Sequence, residues 1–224
     1  MSELTKRLIA QAVRFAESGA EPVPARLAAT VMLLRPVGAG FEVYLLRRAA
    51  SMAFASGMYA YPGGSVDPAD YDGAPLAGHW SARLGRPEPQ AHAVVRAALR
   101  EVAEETGVRL AATDLLPWTR WITPEFEPRR YDTYFFVCAL PDGQRPVVAG
   151  GEADHTEWLR PGEALARFER GEIAMLPPTA VTLGDLAGYE SVGAALAATA
   201  GRDAVTAILP RVEHHPDGSA RLVM

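Results

Sequence analysis

The chain has 224 residues, of which 49% are hydrophobic and 22% are charged, and its net charge is −5. This apolar fraction is typical of a folded core and argues against a wholly disordered chain. The acidic balance argues against a non-specific nucleic-acid binder, which is normally basic. A single cysteine, Cys138, excludes an internal disulfide, and no run of about 18 apolar residues predicts a membrane span. We therefore expect a cytoplasmic protein that engages neither nucleic acid nor a membrane.

The first part of the chain predicts one helix, two strands and an irregular insertion. In chain order these are an amphipathic helix at 3–17, strands at 27–35 and 41–47, a glycine turn at 61–64, and the insertion at about 65–87, which is rich in Asp, Pro and Gly.

The rest of the chain predicts the longest helix, then strands and further helices. These are a helix at 88–106, strands at 115–122, 131–140 and 155–160, helical patterns at 161–170 and 178–199, and a hairpin in the tail. Gly107 is typical of a residue that ends a helix. This order predicts an α+β fold class.

The same pass along the chain predicts how it is organised. We expect an N-terminal helix within residues 1–24, a central domain at 25–170 that contains the insertion, and a C-terminal extension at 171–224 packed on the same domain. Near the end, His214, His215 and Asp217 predict a turn rather than a metal site, because adjacent residues of a strand face opposite sides.

The segment with the most chemical information is Arg100-Glu101-Val102-Ala103-Glu104-Glu105-Thr106-Gly107-Val108. On a helix, positions i, i+3 and i+4 share a face, so Glu101, Glu104 and Glu105 point the same way. Oxygen-rich clusters of this kind suit hard divalent cations such as Mg²⁺ or Mn²⁺. The alternative is a solvated acidic face, which is electrostatically unfavourable near a helix C-terminus.

This segment resembles the signature of the Nudix hydrolases, whose core is Arg-Glu-apolar-x-Glu-Glu-x-Gly-apolar. It matches at every specified place, and the Pro62-Gly63-Gly64 turn precedes it, as in that family. The departure is in the first half of the signature. Gly64 stands 36 residues before Arg100, much farther than in the signature, and His92 stands where another glutamate is usual.

The resemblance implies a fold, an activity and a set of ligands. The fold would be the Nudix α/β/α sandwich with a mixed sheet, carrying an added N-terminal helix and a C-terminal helical extension. The activity would be metal-dependent hydrolysis of a diphosphate bond in a nucleoside diphosphate-linked compound. Glu101, Glu104, Glu105 and the carbonyl of Gly63 would hold Mg²⁺ or Mn²⁺, and Arg100 would orient Glu101.

A further carboxylate is predicted from a loop far downstream. Glu152 follows two glycines and stands six residues before Trp158, a spacing similar to that of mutator-type family members. Glu152 and Glu101 are the two candidates for the general base, because each would lie beside a metal-bound water. The alternative for Glu152 is a solvated turn residue.

Several shorter segments resemble one branch of the family, the peroxisomal coenzyme A diphosphatases and their bacterial relatives. They include Arg48 with Phe54 and Gly57, the group Val66, Asp67 and Asp70, the stretches 121–124 and 129–136, and 176–179. Another coenzyme A-cleaving pattern has Leu-Arg-x-His where this chain has residues 52–55. That arginine and histidine are absent here, so ADP-ribose, dinucleotides and nucleoside triphosphates stay open as substrates beside a coenzyme A-like compound.

The predicted substrate-binding residues each have a structural alternative. They are Gly64, Arg48, Arg129, Arg130 and Tyr61. A guanidinium fork suits phosphate oxygens, but an arginine here could instead bridge Asp132 at the strand start. Tyr61, like Trp118 and Trp121, could stack on a base, although burial is the commoner use of an aromatic ring.

Two other functions compete with the hydrolase. One is a catalytically idle Nudix-fold sensor that binds a nucleotide, although such proteins usually lose the glutamates that are present here. The other is an ordinary interaction domain with an acidic helix. A homodimer is a further expectation, by analogy with the family alone.

Overall fold

The computed structural model describes residues 3–50, 55–149, 151–214 and 220–223. Its helices are α1 (Glu3–Ser18), α2 (Trp80–Leu84), α3 (Glu88–Thr106), α4 (Pro161–Glu169), α5 (Pro177–Ala187) and α6 (Val192–Ala198). Its strands are β1 (Arg26–Val37), β2 (Gly40–Arg48), β3 (Tyr59–Ala60), β4 (Gly63–Ser65), β5 (Leu116–Ile122), β6 (Tyr131–Ala139), β7 (Ala153–Leu159), β8 (Ala207–Ile208), β9 (Arg211–His214) and β10 (Ala220–Val223).

The centre of the molecule is a mixed sheet with the strand order β3-β2-β1-β6-β5-β8. β1 and β2 form the predicted antiparallel hairpin, whereas β1 and β6 run parallel over the whole length of β6. Two short additions complete the sheet: β4 pairs with β1, and β7 pairs with β2. Because β4 and β7 attach to adjacent strands, the glycine turn and the loop before β7 reach the same region.

Hydrophobic cores cover both faces of the sheet. Alternate residues of β1 enter opposite cores: Val31 and Leu33 pack with α3, whereas Met32 and Leu34 pack with α5. The face of α3 toward the sheet consists of small apolar residues, namely Ala91, Val94, Val95, Ala98 and Val102. This arrangement is an α/β/α sandwich with a mixed sheet, which confirms the predicted fold.

The insertion is more ordered than its composition predicts. It contains a 3₁₀ turn at Pro68–Tyr71 and the short helix α2, and Trp80 and Leu84 of α2 are buried against the α3 side of the sheet. Arg96 of α3 donates hydrogen bonds to the carbonyls of Asp70 and Ala74, at 3.0 and 2.6 Å. The insertion is therefore held against α3, and its prediction as a wholly irregular segment is wrong. Two apolar residues four positions apart are too weak a pattern to predict α2.

The C-terminal region adds to both the helices and the strands. The single helical pattern predicted at 178–199 is two helices, because Ser191 starts α6 by accepting a hydrogen bond from the N–H of Ala194. β8 extends the sheet beside β5, and β9 pairs with β10 in a separate hairpin. α1 buries Leu8 and Ala12 against Phe126.

Some predictions fall on residues outside the described ranges: Phe54 and most of 52–55, Gly150, and the turn at His215 and Asp217. Within the ranges that are described, we find no helix with the length and apolar character needed to cross a membrane.

Candidate metal and active site

The glycine bend at Gly63-Gly64 lies against β1 and leaves no room for side chains. Gly63 pairs with Thr30, and a Cβ at Gly63 would lie 2.6 Å from the Cα of Thr30. Gly63 also has φ of 157°, a backbone conformation that L side chains rarely adopt. On the other side of the bend, a Cβ at Gly64 would lie 2.5 Å from the Cδ of Glu101. Both positions therefore require glycine, because Thr30 on one side and Glu101 on the other lie too close for a side chain.

Glu105 connects the C-terminal half of α3 to this bend. The N–H of Gly63 donates a hydrogen bond of 2.8 Å to Oε2 of Glu105, while Oε1 is buried with no hydrogen-bond partner. The pKa of Glu105 is raised to about 7, mainly by burial and also by the charge of Glu101, against the lowering effect of the Gly63 bond. An unpartnered buried carboxylate oxygen is costly unless a cation or a proton binds it.

Arg100 lies at the centre of a network of acceptors. Its Nη1 donates to Glu101 at 2.8 Å and to Glu104 at 3.1 Å, and its Nη2 donates to the carbonyl of Ser65 at 3.0 Å. Asp70 accepts two more bonds, from Nε at 3.2 Å and from Nη2 at 2.9 Å. The hydrogen bond to Asp70 is the main cause that raises the pKa of Arg100 above its usual value. The predicted orientation of Glu101 by Arg100 is thus a direct contact.

The loop before β7 brings Glu152 to the same region. The N–H of Ala49, which follows β2, donates a hydrogen bond of 2.8 Å to the carbonyl of Glu152. The negative charge of Glu152 contributes to the raised pKa values of both Glu101 and Glu105, whereas the charge of Arg48 opposes the rise at Glu105. The fold therefore gathers Glu101, Glu105, Glu152 and Arg48 around the glycine bend, although they come from three separate parts of the chain.

The carboxylate oxygens around the glycine bend suit a hard divalent cation, but in this structure they do not converge on one point. Across the described ranges, no three His, Cys, Asp or Glu side chains form a ready cluster for a metal ion. Glu101 and Glu104 are instead paired with Arg100. The buried, unpartnered Oε1 of Glu105 is the feature that fits a cation best, because an oxygen ligand there would gain its missing partner.

Three of the predicted substrate-binding residues lie elsewhere. Tyr61 is buried in the core, its hydroxyl is 3.0 Å from Oγ1 of Thr182, and burial raises its pKa. Arg130 donates to the carbonyls of Thr123 and Val23, at 3.0 and 2.9 Å. Arg129 is exposed at the start of β6.

The alternative roles considered for the arginines and aromatic rings have mixed outcomes. Asp132 is bound by Arg120 and Arg86, so the predicted bridge from Arg129 or Arg130 is wrong. Trp118 and Trp121 are buried, which agrees with a structural use.

Asp70 is the residue that sequence reasoning missed. The sequence indicates Asp70 only through the family resemblance at the start of the insertion. Asp70 is 4% exposed, and its Oδ2 accepts a 2.8 Å hydrogen bond from the N–H of Asp67. The available signal was the pattern Asp67-Pro68-Ala69-Asp70, which is typical of a tight turn in which the second aspartate bonds back to the first.

Comparison with known proteins agrees with this geometry. The family model described as the NUDIX domain matches residues 70–177. The chain therefore contains a Nudix domain. The crystal structure of a NUDIX hydrolase from Alicyclobacillus acidocaldarius has 26% sequence identity and a TM-score of 0.65, and the match covers 82% of this chain and 98% of that one.

Two curated Nudix relatives show more distant similarity. The acyl-coenzyme A diphosphatase NUDT19 of Gallus gallus is 24% identical over an alignment 238 residues long. The match covers 68% of this chain and 62% of the relative. The putative nudix hydrolase 7 of Caenorhabditis elegans is 24% identical over 172 residues, which cover 61% of this chain and 52% of the relative. The chain thus matches only about half to three-fifths of the length of these two proteins.

Proposed function

We propose that this Nudix protein is a metal-dependent hydrolase that cleaves a diphosphate bond in a nucleoside diphosphate-linked compound. The observation that carries the proposal is the Glu105 carboxylate, bound to Gly63 through one oxygen and buried without a partner through the other. A sensor or an interaction domain has no need of such an uncompensated oxygen, whereas a metal ligand does.

The proposed metal ligands are Glu101, Glu104, Glu105 and the carbonyl of Gly63. A bound Mg²⁺ or Mn²⁺ would neutralise negative charge on the diphosphate and would lower the pKa of a coordinated water. Arg100 keeps Glu101 in place through its 2.8 Å hydrogen bond. The missing side chain at Gly64 lets the Glu101 carboxylate approach the bend.

The proton of the attacking water goes to a carboxylate in this proposal. Glu152 is the first candidate, because it is exposed, lies on a loop and acts electrostatically on both Glu101 and Glu105. Glu101 is the second candidate, because burial raises its pKa, although its bond to Arg100 partly offsets that rise. Either group would need to lie within hydrogen-bond distance of the water.

The substrate class follows from the relatives and the charges together. Because a relative is named an acyl-coenzyme A diphosphatase, a coenzyme A-like compound is the first candidate, ahead of ADP-ribose and a dinucleotide. Arg48 supplies positive charge near Glu105 and is the proposed phosphate contact. Cleavage would release the other phosphorylated half together with a nucleoside monophosphate, or with an adenosine bisphosphate where the substrate is a coenzyme A-like compound.

A panel of diphosphates tests the proposal. The purified protein is incubated with acetyl-coenzyme A, ADP-ribose or a diadenosine polyphosphate, in Mg²⁺, in Mn²⁺ or in EDTA. Release of the nucleotide product is measured, which is AMP from ADP-ribose and an adenosine bisphosphate from acetyl-coenzyme A. We expect metal-dependent release from at least one compound and none in EDTA. Tight binding with no turnover would favour the sensor, and a melting temperature unaffected by divalent ions would favour the interaction domain.

A further inference from the structure

Tyr44 places a second unpartnered polar atom near the Glu105 carboxylate. Tyr44 lies on β2 and is 2% exposed, and its hydroxyl oxygen is buried. Among the residues that the structure describes, this hydroxyl has no hydrogen-bond partner, and the same is true of Oε1 of Glu105. A buried polar atom without a partner is costly, so two of them in one region require a physical reason.

Packing holds Tyr44 between the sheet and the end of α3. It belongs to the same buried cluster as Val102 and Val108, which stand three residues before and three residues after Glu105. The Tyr44 ring lies edge-on to the ring of Trp158 on β7, with the two centroids 5.2 Å apart. The position of the Tyr44 hydroxyl is therefore set by its surroundings on both sides.

Thr156 is the third polar group on this face of the sheet. In the β2–β7 ladder, Tyr44 pairs with Trp158 and Leu46 pairs with Thr156. Residues two apart on a strand share a face, so Thr156 lies diagonally across from Tyr44, within reach of a long side chain. Burial raises the pKa of Tyr44, the Thr156 hydroxyl lowers it, and the charge of Glu105 raises it. Both groups thus act on the Tyr44 hydroxyl, although neither completes a hydrogen bond of ordinary geometry with it.

We propose that Tyr44 is a positioning residue, whose hydroxyl holds Oε1 of Glu105 through one buried water that Thr156 also binds. A buried water typically makes about three hydrogen bonds to polar groups that are otherwise unsatisfied, and these three side chains supply that number. A carboxylate oxygen has two lone pairs, so the water leaves one of them free for a cation. The inference rests on the proposed function, because it treats Glu105 as a metal ligand.

The first test is the melting temperature of Tyr44→Phe in the full chain without metal. The change removes the hydroxyl and keeps the ring that packs on Trp158. In EDTA, loss of a hydroxyl that has no partner should raise the melting temperature or leave it unchanged, whereas loss of one that binds a water should lower it. We expect a fall of about 2–4 °C. A melting temperature at or above that of the wild type would overturn the proposal, whether or not the protein binds metal.

Metal binding separates a positioning role from a merely structural one. For Tyr44→Phe, we expect the Mn²⁺ dissociation constant, measured by titration calorimetry, to rise about tenfold, as is typical when a metal ligand loses an outer hydrogen bond. Hydrolysis of the best substrate of the panel should fall at limiting Mn²⁺ and recover at saturating Mn²⁺, with KM for the substrate unchanged. Activity that stays low at saturating Mn²⁺ would contradict a role exerted through metal affinity.

Tyr134→Phe is the matched control. Tyr134 is buried in the same cluster, but its hydroxyl donates to the carbonyl of Leu84 and accepts from Nε of Arg86, both at 2.9 Å. This variant should melt at a lower temperature, because partnered hydrogen bonds are lost, and should keep its Mn²⁺ affinity. Equal losses of Mn²⁺ affinity in Tyr134→Phe and Tyr44→Phe would overturn the proposal, since any buried tyrosine hydroxyl would then have the same effect.

Thr156→Val tests the same water from its other side. It removes a hydroxyl while keeping the shape of the side chain, and it should also weaken Mn²⁺ binding. If both residues bind one water, adding Thr156→Val to Tyr44→Phe should weaken Mn²⁺ binding no further, whereas additive losses would contradict the inference. Wild-type binding of Mn²⁺ without hydrolysis of any compound would defeat the proposed function alone. Hydrolysis with Mn²⁺ affinity unchanged in Tyr44→Phe would defeat the positioning role alone.

Discussion

Gly64 and Glu101 lie so close that only hydrogen fits on the Cα of the glycine. A Cβ there would lie 2.5 Å from the Cδ of Glu101 and 2.8 Å from its Oε2. The contact joins β4 to the middle of the carboxylate cluster on α3, so the bend and the cluster cannot move independently.

Gly64→Ala should therefore displace the Glu101 carboxylate and reduce kcat by about 10- to 100-fold, because small displacements of site groups are costly. Steady-state kinetics in Mg²⁺ measure the effect. Gly184→Ala in α5, where nothing lies within 4 Å of a new Cβ, is the matched control and should be fully active. A Gly64→Ala variant with wild-type kinetics would show that the carboxylate adjusts freely.

Glu105→Gln should make the metal-free protein less sensitive to alkaline pH. The pKa of Glu105 is raised from 4.5 to about 7, so the fold favours the protonated form. The resulting stabilisation is fully present below pH about 4.5 and is lost as the pH rises through about 7. In EDTA, the melting temperature of Glu105→Gln relative to wild type should rise between pH 5 and pH 8 by roughly 2–8 °C.

The same variant provides its own check with metal present. Saturating Mn²⁺ should stabilise the wild type more than Glu105→Gln, because binding to the folded state adds to stability and the variant lacks a ligand. A melting-temperature difference that is equal at both pH values, with or without Mn²⁺, would contradict a buried, unpaired carboxylate at position 105.

Glu152→Gln should lower kcat by about 100-fold or more while Mn²⁺ affinity stays within about twofold, as expected for loss of a general base. Asp154→Asn is the control, since Asp154 lies two residues away at the start of β7 and pairs with Arg47 at 2.6 Å. The measurements are kcat and calorimetric Mn²⁺ binding. Full activity of Glu152→Gln would show that Glu152 is not the general base and would leave Glu101 as the candidate.

Asp132→Asn should destabilise the fold without affecting metal binding. Its carboxylate accepts bonds of 2.7 and 2.8 Å from Arg120 and also pairs with Arg86. Removing the charge leaves two partly buried arginines without their anion, at a cost of about 3 kcal/mol in the free energy of unfolding. Urea unfolding measures this, with exposed Asp142→Asn as control. A loss below about 1 kcal/mol would show that the arginines find other partners.

Much of the fold was predictable because its signals are local. Helix α3 and its end at Gly107 follow from a period of 3.6 and a glycine, and the structure gives that glycine φ of 71°. The β1–β2 hairpin follows from two apolar runs around a glycine-rich turn. Helix α2 was missed because its burial depends on a partner, Phe136, that lies far away in the sequence.

The contacts of the site also fall into two groups, those within one helix and those between distant segments of the chain. The contact of Arg100 with Glu101 was expected from the family resemblance, and Glu104 stands four residues from Arg100 on the same helix, within side-chain reach. The contact with Asp70 was not expected, because Asp70 and Arg100 are 30 positions apart and their contact depends on the path of the chain between them. Tyr61 has a sequence context that suits either stacking or burial, and its packing against Phe135 decides for burial.

The sequence by itself determined that three glutamates share one helix face behind an arginine, because side-chain direction on a helix depends only on backbone geometry. Only the tertiary structure decided which distant groups meet that face: Gly63 and Gly64 from β4, Glu152 from the loop before β7, and Asp70 from the insertion. The physical reason is that these long-range contacts depend on the order of strands in the sheet and on which residues of the insertion are buried. Neither is encoded in the residue spacing of any one segment.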